Sequence, residues 1–177
     1  GKIARLFHLK GHEELLTAAP GIVEVFPEVR FLLVGDGILR KRLEEKVQKM
    51  GLSRNFIFAG LIAPEEIPDF ISAMDVLVHL SFREGLARAL VQALSAGKPV
   101  ISFDIDGACE VVLDGSTGYL LSPGDTSGLI EKVIVLLRSK ELREKFGRQG
   151  QELVGKKWTV QAMVNDIEEL YQKLCGG

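Results

Sequence analysis

Cysteine is scarce. The 177 residues contain only Cys109 and Cys175, with no CxxC pair and no histidine at zinc-ligand spacing, which argues against a disulfide scaffold and a structural zinc. Both read as free thiols in a reducing compartment, so the expected location is cytoplasmic. No apolar run approaches the ~18 residues a membrane helix needs, and the first residues lack the pattern of a secretory signal. Charge of one sign is missing too: 22 basic and 24 acidic residues leave a net charge of −2. That balance provides no broad basic surface for nucleic acid, although a local cationic pocket stays open. What remains is ordinary globular composition, 46% apolar and 26% charged, in a chain of a length suited to one domain.

Short β-rich runs alternate with helical periods. ARL reads as the tail of a strand, and GKIARL enters that strand halfway, so a chain continuing upstream of Gly1 is expected. GHEELLTAA has helical spacing that Pro20-Gly21 should interrupt or end. VRFLLVG is a strand, followed by the amphipathic LRKRLEEKVQKMG with Gly51 as its C-cap. NFIFAG and DVLVHL are strands around a short helical PEEIPDFISAM. The run Leu86–Ser95 reads as a helix closed by Gly97-Lys98-Pro99, followed by a strand from Val100 and later by TGYLL. Three helical patterns complete the chain, the last at VQAMVNDIEELYQKL. Strand-then-helix alternation predicts an α/β domain, a Rossmann-like doubly wound parallel sheet with helices on both faces. Ligands of such sheets bind at the carboxyl ends of the strands, where strand order reverses.

Several residues could carry chemistry there. Arg5, at a strand end, and Lys10, just before a helix, could converge on an anion, or be two solvated cations. Glu84-Gly85 would open the Leu86–Ser95 helix, with unpaired amides that suit a phosphate or a sugar hydroxyl. Arg88 and Gln92 would then share a helical stripe with Glu84, and a surface Glu84–Arg88 pair is the plainer account of Arg88. Gly35-Asp36-Gly37 is a partial dinucleotide fingerprint that lacks its third glycine, and a tight βα turn explains it equally. Asp104 and Asp106 form a D-x-D without further metal ligands, best read as loop carboxylates. His8, His12 and His79 share no triad or metal spacing; His12 and His79 could line a cleft or sit half-buried.

Four segments, taken in order, resemble one family: ARLFHLKGHEELL, FLLVGDG, DVLVHLSFREGLARALVQALSAGKPVIS and DIDGACEVVLDGSTGYLLSPGD. Together they are similar to the carboxyl-terminal, donor-binding domain of the retaining GT-B glycosyltransferases of family 4. The third is the most specific, with an acidic residue, seven residues and a second polar position, here Glu84 and Gln92, followed by a Gly-x-Pro-Val strand.

The resemblance implies that residues 1–177 are one half of a GT-B fold, with an amino-terminal acceptor domain lying outside this chain. It implies that Arg5 and Lys10 grip the donor diphosphate and that Glu84 lies near the donor sugar. Amides around Gly85, Leu86 and Ala87 would cradle the sugar and distal phosphate. Gln92 would meet the ribose, and the backbone at Leu61 and Ile62 the base. No metal or other cofactor is implied, because preorganised cations and amides stabilise the leaving nucleotide. The implied partners are a nucleotide sugar and the amino-terminal domain, towards which the last helix would pack, with room for peripheral membrane association of the longer protein. Four substitutions depart from the family pattern besides Gln92 for Glu: Ala4 for Gly, Leu80 for Pro, Arg88 for an aliphatic residue, and Asp106 for the first of two glycines. Arg88 would offset Asp106 or contact a phosphate or acidic acceptor. The alternatives are a non-catalytic nucleotide-sugar-binding or scaffolding module and a nucleotide-sugar epimerase on the same architecture.

Overall fold

The structure, a computed structural model, describes residues 1–175. Six short strands form the sheet: β1 (Lys2–Ile3), β2 (Phe31–Val34), β3 (Phe56–Gly60), β4 (Leu77–His79), β5 (Val100–Phe103) and β6 (Gly118–Leu121). All neighbours are parallel, in two ladders ordered β1-β2-β3 and β4-β5-β6. The ladders join at Gly1, whose nitrogen donates to Val76 O at 2.7 Å and whose carbonyl accepts from Val78 N at 2.8 Å. The resulting order, β3-β2-β1-β4-β5-β6, reverses direction between β1 and β4. A crevice therefore opens above the carboxyl ends of those two strands.

Helices cover both faces: α1 (His12–Val25), α2 (Arg40–Lys49), α3 (Ile67–Ser72), α4 (Arg88–Ser95), α5 (Ala108–Val111), α6 (Thr126–Arg138), α7 (Lys140–Lys157) and α8 (Val160–Cys175). Period-two alternation divides the strand side chains between two cores. Leu33 and Ile101 join Leu16, Ile22, Leu43 and Leu129 in one, and Leu77 and Val100 join Ile71, Leu90, Leu94 and Val111 in the other. Each fully buried aliphatic side chain contributes about 1.5–3 kcal/mol.

Two expectations need correction. Helix α1 runs through Pro20-Gly21 to Val25 without stopping. Pro20 lies on the exposed face, so its lost amide and ring sit where the helix can open towards water. Gly21 meanwhile packs against Ile130 of α6, where a β-carbon would approach to 3.1 Å; tertiary packing overrides the local break. The first strand also ends earlier than ARL suggests, at Ile3, although Ala4 N still donates to Val34 O at 3.0 Å. Gly51, at φ 72°, takes the left-handed position after α2 as expected.

Helix α4 is clamped from outside. A β-carbon on Gly147 of α7 would sit 2.0 Å from Gly97 O, and one on Gly150 2.7 Å from Leu94 Cδ2. Only glycine lets α7 cross α4 this closely. Helix α8 is the exception to this packing: none of its residues is buried, and Val160, Met163, Val164, Ile167, Leu170 and Leu174 are exposed apolar side chains.

Candidate functional site

Two loops build the crevice, one after β1 and one after β4. The first is fixed by backbone contacts. Leu6 N donates to Asp36 O at 2.8 Å and Leu39 N donates to Leu6 O at 3.0 Å, so the residue that follows Arg5 is pinned by both its backbone groups to the Asp36–Leu39 segment. A β-carbon at Gly35 would fall 2.1 Å from Ala4 O, and one at Gly37 2.5 Å from Leu6 O. These glycines thus buttress the Arg5 loop, which is the tight-turn account of the partial fingerprint. The Arg5 guanidinium rests over the Phe7 ring at 5.0 Å, exposed and free of carboxylate partners among the described residues.

Lys10 sits between two left-handed residues, Leu9 (φ 65°) and Gly11 (φ 66°). At Gly11 a β-carbon would lie 1.8 Å from Leu80 O, and Phe82 N donates to Leu9 O at 2.8 Å. The first loop is thereby stitched to the second. Lys10 Nζ then donates to Glu84 Oε2 across the crevice.

The second loop differs from its expected form. Helix α4 begins at Arg88, with Ala87 as an extended cap, so Glu84, Gly85 and Leu86 lie in a turn before it and not on its stripe. Long-range contacts hold them there: the Glu84 carboxylate goes to Lys10, and Glu84 N donates to Asp106 Oδ2 at 2.9 Å. The expected Glu84–Arg88 pair is replaced by Glu84–Lys10, and Asp106 turns to the Glu84 amide and not to Arg88. Asp106 reaches this position with φ 44°, a strained conformation for a non-glycine residue.

The cleft that results has a volume of about 410 Å³. Arg5, Lys10, Ile62, Glu84, Leu86, Ala87, Arg88 and Gln92 all line it. Gly85 and Leu61 do not; Leu61 is 81% exposed. Sequence reasoning did not place Ile3, Pro64 and Ile67, which supply an apolar wall. His79, read as a cleft-lining residue or a bystander, does line it. A larger cavity of about 730 Å³ opens at the other ends of the strands, between Phe31, Met74 and Val76. There Arg143 is already committed to Asp75 and to the Leu136 and Leu137 carbonyls, so convergent free polar groups are found at the smaller cleft.

Electrostatics distinguish the cleft floor. Burial pushes the Glu84 carboxyl up, but Lys10, His79 and the Ser81 hydroxyl outweigh it and hold the group below its ordinary range. His79 Nε2 lies 4.0 Å from Glu84 Oε2. Burial above all, with Lys2 nearby, lowers both His12 and His79 to about 4. Among the described residues, no group of three or more histidine, cysteine, aspartate or glutamate side chains is arranged to hold a metal ion. Nor is any helix among them long and apolar enough to cross a membrane.

The family model for glycosyl transferases group 1 matches residues 1–153. The chain belongs to that family. A 2-deoxystreptamine glucosyltransferase of Streptomyces kanamyceticus is 33% identical over 133 residues, which is 75% of this chain and 34% of that protein. The crystal structure of Anabaena HepE in complex with UDP superposes with a TM-score of 0.89 at 27% identity, covering 98% of this chain and 48% of that one. The carboxyl-terminal domain of LpcC, a glycosyl transferase group 1 protein of Francisella tularensis, superposes at 0.82 with 29% identity, covering 90% of this chain and 85% of that one. The chain has the Rossmann-like architecture of one half of a GT-B structure, and it spans less than half the length of the curated relatives it matches.

Proposed function

We propose that residues 1–177 are the donor-binding domain of a retaining glycosyltransferase, which moves a sugar from a nucleotide-diphosphate sugar to a glycan, lipid or small-molecule acceptor. The observation that carries this reading is the convergence of Arg5, Lys10 and the start of α4 on one cleft at the strand-order reversal. The likeness to HepE, a protein crystallised with UDP, supports a uridine nucleotide as the first ligand to try.

In this reading the diphosphate lies between Arg5, Lys10 and the free amides before α4. As the sugar–phosphate bond breaks, negative charge grows on the leaving nucleotide, and fixed cations and amides stabilise it without reorganising. Lys10 begins paired with Glu84. An arriving phosphate competes for Lys10 and leaves the Glu84 carboxylate available to the sugar hydroxyls. Gln92, one turn into α4, both accepts and donates at the ribose, and the backbone near Leu61 and Ile62 meets the base. No step calls for a metal.

The acceptor side and the catalytic cleft are completed by an amino-terminal domain. The apolar face of α8 supports that assignment, since no element of the described chain covers it. The test is nucleotide-sugar binding by this chain, weakened in Arg5→Ala, together with transfer that requires the longer protein. Transfer by residues 1–177 alone contradicts the division of labour. Stabilisation by NAD and by no nucleoside diphosphate contradicts the donor assignment.

A further inference from the structure

Lys2 is the anomaly of the core. It is 1% exposed, and its ammonium nitrogen has no hydrogen-bond partner in the fold. On β1 it alternates with Ile3, so Ile3 lines the cleft while Lys2 enters the layer beneath α1. An unpaired ammonium in such a place is costly, and nothing in the packing of an α/β sheet calls for one.

Its surroundings explain what it can do. The charged groups acting on it are Glu14 of α1, Lys10 of the first loop and Glu84 of the second. His12 of α1 and His79 of β4 complete the cluster, each feeling Lys2. His12 Nε2 meets the Arg5 carbonyl at 2.9 Å and must therefore donate, leaving Nδ1 a bare acceptor without a partner. His79 Nε2 is likewise buried and unpartnered. With both histidines neutral, Lys2 is a buried cation that feels Glu14 most and Glu84 less, yet its ammonium makes no hydrogen bond to either carboxylate among the described residues. Burial, chiefly, brings its proton affinity down to about 7.

Resting on the donor-binding reading of this cleft, we infer that Lys2 is a positioning residue that takes up a proton when an anionic donor engages Lys10, and so becomes the new counter-charge of Glu84. The ligand draws Lys10 away from Glu84 and adds negative charge above it. Both changes favour the ammonium form of Lys2 over the amine. Binding and protonation are then linked, so affinity must fall as the pH rises above the free-state value. Lys2 touches neither sugar nor phosphate; it acts through Glu84.

The experiment is calorimetric titration of the chain with UDP-glucose, GDP-mannose and ADP-glucose at pH 6.5 to 9, in buffers of different ionisation enthalpy. Nucleotide sugars are used because their diphosphate does not titrate in this range. For the one that binds, the expected result is uptake of a fraction of one proton near pH 7.5 and affinity about tenfold weaker at pH 9 than at pH 7, a slope below the one-proton limit. In Lys2→Met, which replaces the ammonium by an apolar group of similar length, both effects vanish while binding near pH 8 persists. Carbon-13 shifts of the lysine ε-methylenes give a second readout: one resonance titrates near pH 7 in the free chain, moves upward with ligand, and is absent from Lys2→Met. Binding with a flat pH profile, or with proton uptake that survives Lys2→Met, overturns this inference and leaves the donor reading intact. Absence of binding by all three nucleotide sugars at millimolar concentration and pH 6.5 overturns both.

Discussion

The two loops that face each other across the cleft are built by opposite means. The loop after β1 is set by backbone: Leu6 is bonded on both sides, Gly35 and Gly37 press against the Ala4 and Leu6 carbonyls, and Gly11 lies against Leu80 O. The loop after β4 is set by side-chain charge: Asp106 takes the Glu84 amide and Lys10 takes the Glu84 carboxylate. Steric fixation is indifferent to pH and ligand, whereas charge fixation can be reset by either. A site that presents cations rigidly and lets a carboxylate exchange partners suits a ligand that arrives with its own negative charge.

The largest expected effect comes from breaking the rigid loop. Gly11→Ala puts a β-carbon into the Leu80 carbonyl at a left-handed position, and chemical denaturation should show a loss of about 4 kcal/mol or more, the range reserved for backbone strain and core disruption. Arg5→Ala removes function without this cost. Arg5 is exposed and unpaired, so the unfolding midpoint should stay put. Nucleotide-sugar binding should weaken about 10- to 100-fold, the worth of about 1.5–3 kcal/mol for a charged hydrogen bond, as read by calorimetry.

Much of this was legible in the chain itself, and the failures have a common cause. The alternation of strand runs and helices carries the sheet, because it depends on local periodicity, whereas the family and several of the eight cleft-lining candidates, Ile62, Leu86 and Ala87 among them, come from the resemblance of four segments to that family. Pro20 misleads because its effect depends on which face of α1 meets water and on Gly21 meeting Ile130. The start of α4 misleads because long-range partners, Asp106 on the Glu84 amide and Lys10 on its carboxylate, hold Glu84 in the turn before Arg88. Lys2 stands outside the ARL run read as the strand's tail, so the local pattern says nothing of it. Its significance lies in His12, His79 and Glu84, which only the fold brings near.

Acid sensitivity separates the charged floor from the rigid frame. His12 and His79 protonate near 6.5 when unfolded but only near 4 in the fold. The unfolded state therefore binds more protons between those values, and stability must fall as pH drops from about 6.5 to about 4. Urea unfolding across this range should show that slope, made shallower in His79→Gln. The smallest effect belongs to the Asp106 latch. Asp106→Gly relieves the left-handed strain while removing the acceptor for Glu84 N, so global stability should change by less than about 1 kcal/mol. Hydrogen exchange at the Glu84 amide should nonetheless accelerate, while exchange at Leu6 and Leu39 in the opposite loop stays unchanged.

The central claim is that the cleft between β1 and β4 holds the diphosphate of a nucleotide sugar. The most direct test is a thermal-shift series with UDP, GDP, ADP, their sugar conjugates and NAD, each with and without EDTA, on the wild-type chain and on Arg5→Ala. A ligand at 100 times its dissociation constant adds about 2.7 kcal/mol, so weak binding is visible. The account predicts a rise in melting temperature with one nucleoside diphosphate family, unaffected by EDTA and cut to about half or less by Arg5→Ala. A rise with NAD alone, or one that Arg5→Ala leaves untouched, contradicts it.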